Sequence, residues 1–148
     1  HWIIKNYFAK ENSVLTSDGW FDTGDIATLN EDGYLKISDR SKDLIKSGGE
    51  WISSVDLENL AMGHPKIAMA AVIAAEHEKW DERPILIAIK KPDVDLNESE
   101  ILDFYADKVA KWQIPDKVIF VESIPLSGTG KMLKKDLREQ FGKVLLST

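Results

Sequence analysis

The run PLSGTGK at residues 125–131 sets a lysine behind small, flexible and hydroxylated residues. Glycine reaches positive φ without steric cost and proline fixes its own φ, so the stretch favours a turn and predicts a mobile loop that presents Lys131. A lysine after glycines first suggests a P-loop around nucleotide phosphates. That pattern needs a glycine where Pro125 stands and a serine or threonine where Met132 stands, so the P-loop reading fails. Two readings of the stretch remain: a solvated turn with a surface lysine, or a loop that offers Lys131 for chemistry.

The elements that must carry this loop follow from patterning. Residues 20–38 hold two short apolar-alternating runs around Asn30, Glu31, Asp32 and Gly33, which predicts a β-hairpin. Residues 39–43 are a polar break suited to a linker or hinge, and a domain boundary is expected there. Trp51 and Ile52 read as a short strand. Ser53 with Asp56 three residues on starts a helix that Gly63 and Pro65 stop. Runs at 67–75 and 84–90, parted by the polar segment 76–83, should pair in one sheet. Asn97 and Glu100 cap a second helix whose Ile101, Phe104, Tyr105 and Val109 form a core stripe. A strand at 117–121 precedes the PLSGTGK loop, and residues 132–141 form an amphipathic helix with Leu133, Leu137 and Phe141 at its apolar spacing. The class is α+β: a short N-terminal β-hairpin segment, then a small mobile domain with a central sheet and packed helices.

Composition narrows the function. The 148 residues are 43% hydrophobic and 30% charged, near the usual size of one domain with a real core. No apolar run approaches the roughly 20 residues that cross a bilayer, and HWIIKNYFAK has neither a charged leader nor a cleavage site, so no transmembrane segment and a cytoplasmic location are expected. The absence of cysteine excludes disulfides and thiolate metal sites, and three scattered histidines make no ligand cluster, so no metal site is expected. A net charge of -6 argues against a nucleic-acid surface. The last helix, KKDLREQFGK, is basic, but Asp136 and Glu139 interleave with its bases as on a solvated face, so a nucleic-acid or membrane contact is rejected.

Three stretches in order, GWFDTGD at 19–25, DGYLKISDRSKDLIKSGGEWIS at 32–53 and IPLSGTGKM at 124–132, together resemble the adenylate-forming (AMP-forming) acyl-CoA ligases over nearly the whole chain. Within that family, SGGEWISSVDLENLAMGHP at 47–65 resembles the fatty-acyl-CoA branch. The resemblance implies a chain several times longer, with a large N-terminal domain that holds the phosphate loop and acyl pocket. Residues 1–41 would then be the end of that domain, contacting nucleotide, and 42–148 the small C-terminal domain. The absence of an initiator methionine at His1 agrees with a fragment that lacks its large domain and is inactive alone.

The implied reaction has two halves. A carboxylic acid, from the branch a fatty acid, attacks ATP to give acyl-adenylate and pyrophosphate, and CoA thiol then displaces AMP. ATP, Mg2+ and CoA are expected as ligands of the full-length enzyme, none held tightly by this fragment. Lys131 maps onto the adenylation lysine, a compact charge able to touch carboxylate and nucleotide together. Asp25 resembles the aspartate that accepts from ribose hydroxyls, against a turn-capping role. Arg40 resembles the arginine on ribose and phosphate, against a surface ion pair. Lys42 falls at the hinge, a backbone role. Gly48 and Gly49 would line the channel for pantetheine, where a side chain obstructs, and also suit a plain turn. Trp51 offers a stacking face to CoA, although a strand tryptophan is more often core. Alternatives are an adenylating enzyme that loads a carrier-protein phosphopantetheine, and a non-catalytic binding or regulatory fragment; intact Asp25, Arg40, Gly49 and Lys131 argue against the latter.

Overall fold

The computed structural model describes residues 4, 6–9 and 11–146. The chain divides into two compact units, His1–Lys42 and Asp43–Thr148.

In the first unit, β1 (Asp25–Leu29) and β2 (Leu35–Arg40) form the expected antiparallel hairpin. Asn30 closes its turn: its carbonyl accepts Gly33 N–H at 3.0 Å and its Oδ1 accepts Tyr34 N–H at 2.7 Å. The register pairs Asp25 with Arg40 and Leu29 with Leu35. Trp20, Leu29, Tyr34, Leu35 and Ile37 are all exposed, because two strands alone have no second layer to bury them against.

The second unit is α+β, as expected. Its sheet runs β4 (Glu50–Ile52), β3 (Ile45–Ser47), β6 (Asp81–Lys90), β5 (Ile67–His77), with β7 (Lys117–Phe120) parallel to β6. Helices α1 (Ser54–Met62) and α2 (Glu98–Ala106) belong to one core with Ala70, Val72, Leu86 and Ala88. Helix α3 (Lys134–Phe141) supplies Leu137 to a second core with Ala71, Ile73, Ile85 and Ile87. Successive side chains of a strand point to opposite faces, so covering both faces makes β5 and β6 read as unbroken apolar runs.

Local signals place the helices. Ser53 Oγ accepts Asp56 N–H at 3.2 Å and Asn97 Oδ1 accepts Glu100 N–H at 2.9 Å, as the caps predicted. Ile101 and Tyr105 are fully buried, and the Tyr105 hydroxyl donates to Leu57 O at 2.6 Å, joining α2 to α1. Burial, then the charge of Glu58, pushes that phenol's pKa up.

Two expectations need correction, and one strand is added. The polar segment 76–83 is mostly strand: β5 and β6 extend into it from both sides and pair as far as His77 with Asp81, leaving only the turn at 78–80 between them. Leu133 is exposed and stands before α3 as its N-cap, while Met132 packs against the core instead. Finally, β3 at Ile45–Ser47 was unassigned by patterning, because three residues are too few to show a period.

Arg83 ties β6 to β3 and to the stretch 112–116. Its Nε and Nη2 donate to Asp116 Oδ1 at 2.9 and 2.6 Å, its Nη1 to Ser47 Oγ and Trp112 O, and its Nη2 to Ile114 O. Arg83 is only 8% exposed, so its loss leaves several acceptors unsatisfied. Arg83→Met should cost about 3 kcal/mol, read from the urea midpoint of this chain; a loss below about 1 kcal/mol would contradict the assignment.

His64 is buried between α1 and α2, edge-on to Phe104 at 4.8 Å, with Nδ1 accepting Lys66 N–H at 3.3 Å and Nε2 3.7 Å from Glu100. Burial holds its pKa below the usual value; Glu100 opposes this, while Lys66, Lys108 and Lys91 reinforce it. The unfolded chain therefore takes up the proton first, and stability falls as pH drops below about 6.5 toward the folded value. In His64→Gln, measured over the same pH range, that part of the decline should vanish; an unchanged slope would assign it to other groups.

Candidate functional site

The candidates sit on three local structures. The first is the β1–β2 hairpin, whose register places Asp25 opposite Arg40. Arg40 Nε meets Asp25 Oδ1 at 2.8 Å, and Arg40 Nη1 donates to Thr23 O at 3.4 Å. The approach to Asp25 is shaped by side-chain turns: Asp22 Oδ1 accepts Gly24 N–H at 2.8 Å and Thr23 Oγ1 accepts Asp25 N–H at 3.2 Å. Asp25 thus follows two side-chain turns and carries its contact with Arg40 through Oδ1. Arg40 is half exposed, as in the surface-pair reading. Lys42, also exposed, is the last residue of the first unit.

The second is the β3–β4 turn. Gly48 and Gly49 have φ of +59° and +94°, as a two-residue hairpin turn with both central residues left-handed requires. Gly48 N–H donates to Trp80 O at 2.8 Å, and a Cβ on Gly48 would lie 2.7 Å from Trp80 Cε3. A Cβ on Gly49 meets nothing within 4 Å. The two glycines thus differ: Gly48 is packed from within, whereas Gly49 faces open space. Trp51 is 57% exposed, which excludes the core reading and leaves its face available.

The third is the turn before α3. Ser127 O accepts Gly130 N–H at 2.9 Å, Ser127 N–H donates to Lys131 O at 2.7 Å, and Ser127 Oγ accepts Lys131 N–H at 3.1 Å. Gly130 takes φ of +78°, and Leu126 bridges Met132. The expected loop is therefore a hydrogen-bonded hairpin turn. Lys131 is exposed at its end, and its ammonium has no hydrogen bond or ion pair among the described residues. An unpaired cation on a braced backbone can meet an anion without first breaking another bond.

Patterning missed the charged pairs that hold α3. Lys134 Nζ meets Glu58 Oε1 at 2.7 Å, and Arg138 Nη1 meets Asp43 Oδ1 at 2.6 Å. The signal for Glu58 was legible: Ser54, Leu57, Glu58 and Ala61 share the buried face of α1, and a carboxylate in that stripe needs a partner. A cavity of about 480 Å³ lined by Ser53, Asp56, Leu57, Lys108 and Gln113 contains none of the candidates. Among the described residues no three His, Cys, Asp or Glu converge, and no helix is long and apolar enough to cross a membrane.

The small α+β unit has the fold of the small C-terminal domain of adenylate-forming enzymes. Residues 56–131 match the AMP-binding enzyme C-terminal domain, and the chain belongs to that family. It is 60% identical over 146 residues to a medium-chain-fatty-acid–CoA ligase of Ectopseudomonas oleovorans, covering 99% of this chain and 27% of the relative. It is 59% identical over 145 residues to a 3-methylmercaptopropionyl-CoA ligase of Ruegeria pomeroyi, covering 98% and 27%. A crystal structure of ATP-bound MatB from Rhodopseudomonas palustris superimposes with a TM-score of 0.83 at 30% identity, covering 88% of this chain and 26% of that one. The chain thus spans about a quarter of the length of the proteins it matches.

Proposed function

We propose that this sequence is the C-terminal part of an AMP-forming, cytoplasmic acyl-CoA ligase that activates a fatty acid as its adenylate and passes the acyl group to CoA. The observation that carries this reading is the unpaired ammonium of Lys131 on a braced turn, in a chain similar over nearly its whole length to CoA ligases. The exposed apolar residues of the β1–β2 hairpin support a larger preceding domain that would cover them.

In the first half-reaction the acid's carboxylate attacks the α-phosphorus of ATP, and the bond to pyrophosphate breaks. Two anions must meet, and Lys131 offsets their repulsion by touching both, most strongly as charge shifts onto the leaving phosphates. Asp25 accepts from the ribose through Oδ2, while Arg40 holds Oδ1 and offers its remaining donors to ribose and phosphate. In the second half, the CoA sulfur attacks the acyl carbon and AMP leaves, with Gly49 keeping the pantetheine path open and Trp51 offering a face to the CoA adenine. The boundary near residues 41–42, with Lys42 as hinge, lets one domain serve both halves in turn. ATP and CoA are substrates, and Mg2+ would enter with the ATP phosphates.

The chain is almost equally similar to ligases for two different acids, as expected where the acyl pocket is built by other parts of the protein. Both relatives are CoA ligases, which favours CoA over a carrier-protein acceptor. The test is a product assay of the complete protein with ATP, CoA and fatty acids of graded length. Acyl-CoA and AMP are expected; acylation of a carrier protein with no acyl-CoA would overturn the reading.

A further inference from the structure

Helix α3 begins three residues after Lys131, yet its own sequence gives that start only partial support. Its N-cap is Leu133, without a side-chain hydrogen bond to the open amides, and Lys134 and Lys135 set two cations at the positive end of the helix dipole against the single favourable charge of Asp136. The anchor comes from elsewhere in the unit. Lys134 Nζ meets Glu58 Oε1 at 2.7 Å and donates to Ser54 Oγ at 2.7 Å, both on α1. Glu58 Oε1 also accepts Val72 N–H from β5 at 2.8 Å. The side chains of Lys134 and Glu58 are 11% and 10% exposed. A buried ion pair recovers little net stability after desolvation, so its value at this place is direction.

Little slack separates that anchor from Lys131. Met132 packs against the second core and bridges Leu126, and Leu133 N–H donates to Pro125 O at 2.9 Å. Every residue from the Lys134 anchor back to the Lys131 backbone is therefore tied.

We propose that Lys134, held by Glu58, is a positioning residue for Lys131 in adenylate formation. This rests on the role given to Lys131 above. Lys134 is committed to Glu58 and Ser54 and acts by fixing the point from which the Lys131 side chain extends. Misplacing a catalytic group by about 1 Å can cost on the order of a hundredfold in rate, so a buried pair with little effect on stability can still have a large kinetic effect.

The test uses the complete ligase. Lys134→Met alone would strand the Glu58 charge, so it is combined with Glu58→Gln, whose amide oxygen can still accept Val72 N–H. The pair variant should lower kcat for pyrophosphate release without CoA by roughly ten- to a hundredfold, with KM for ATP within about threefold and transfer from synthetic acyl-adenylate to CoA within about twofold. Its thermal midpoint should stay within a few degrees of the parent, and Lys134→Arg alone should recover most of the rate. Added to Lys131→Ala, the pair variant should cost nothing more, because it acts through that lysine. If its effect multiplies onto that of Lys131→Ala, or both half-reactions fall together, the pair is structural and the inference fails while the role of Lys131 stands. If Lys131→Ala alone leaves pyrophosphate release unchanged, the role of Lys131 and this inference both fall.

Discussion

Lys131→Ala in the complete ligase should reduce acyl-adenylate formation by roughly a hundred- to a thousandfold while leaving thioester formation from supplied adenylate within a few-fold of the parent. The magnitude is that of removing one preorganised charge from a transition state. The split between the half-reactions follows from where charge develops: pyrophosphate departure builds negative charge that an ammonium offsets, whereas the attack of CoA on the adenylate already has AMP as a good leaving group. Lys131→Arg should recover only a small part, because a rigid planar fork cannot bridge two anions as a compact ammonium on a flexible stem can. The measurements are pyrophosphate release without CoA and acyl-CoA formation from synthetic adenylate. Equal loss in both would mean that Lys131 serves the fold or both steps alike.

Gly49→Leu should do the reverse, releasing pyrophosphate at near the parent rate but forming thioester at least about tenfold more slowly. The β3–β4 turn supplies the control. Gly49 has φ of +94°, so any L-residue there carries a backbone penalty of roughly 1–2 kcal/mol, the same for alanine as for leucine. Since a Cβ at Gly49 meets nothing within 4 Å, the two variants differ only in how far the side chain reaches outward. Gly49→Ala should therefore lose stability but keep acyl transfer. If alanine and leucine slow transfer equally, the glycine serves the turn alone and the channel role must be withdrawn. Gly48 could not make this distinction, because its Cβ would strike Trp80.

Legibility in the sequence followed the range of the interaction. The caps at Ser53 and Asn97 are local, and both were readable because the capping side chain and the amide it accepts from lie three residues apart. The long strands were readable as apolar runs, but their ends were not, since Glu76, His77, Asp81 and Glu82 stay in the β5–β6 ladder despite their polarity. A paired backbone there outweighs side-chain preference. The lysine turn was readable as a turn but not as a braced one, because its bracing comes from backbone pairing of Ser127 with Lys131 and from a serine hydroxyl accepting an amide four residues away. The Glu58–Lys134 contact spans most of the second unit and was unreadable as a pair, although a carboxylate on the buried face of α1 was a sign that one existed. Trp51 shows the opposite failure, where residue type suggested core and the structure exposes the ring.

The most direct test of the account is a rapid-quench experiment on the complete protein with ATP and a fatty acid, first without CoA and then with CoA added. The account predicts stoichiometric pyrophosphate and enzyme-bound acyl-adenylate before CoA is present, converted to acyl-CoA and AMP on its addition. No adenylate in the absence of CoA, or ADP and phosphate as the nucleotide products, would contradict it.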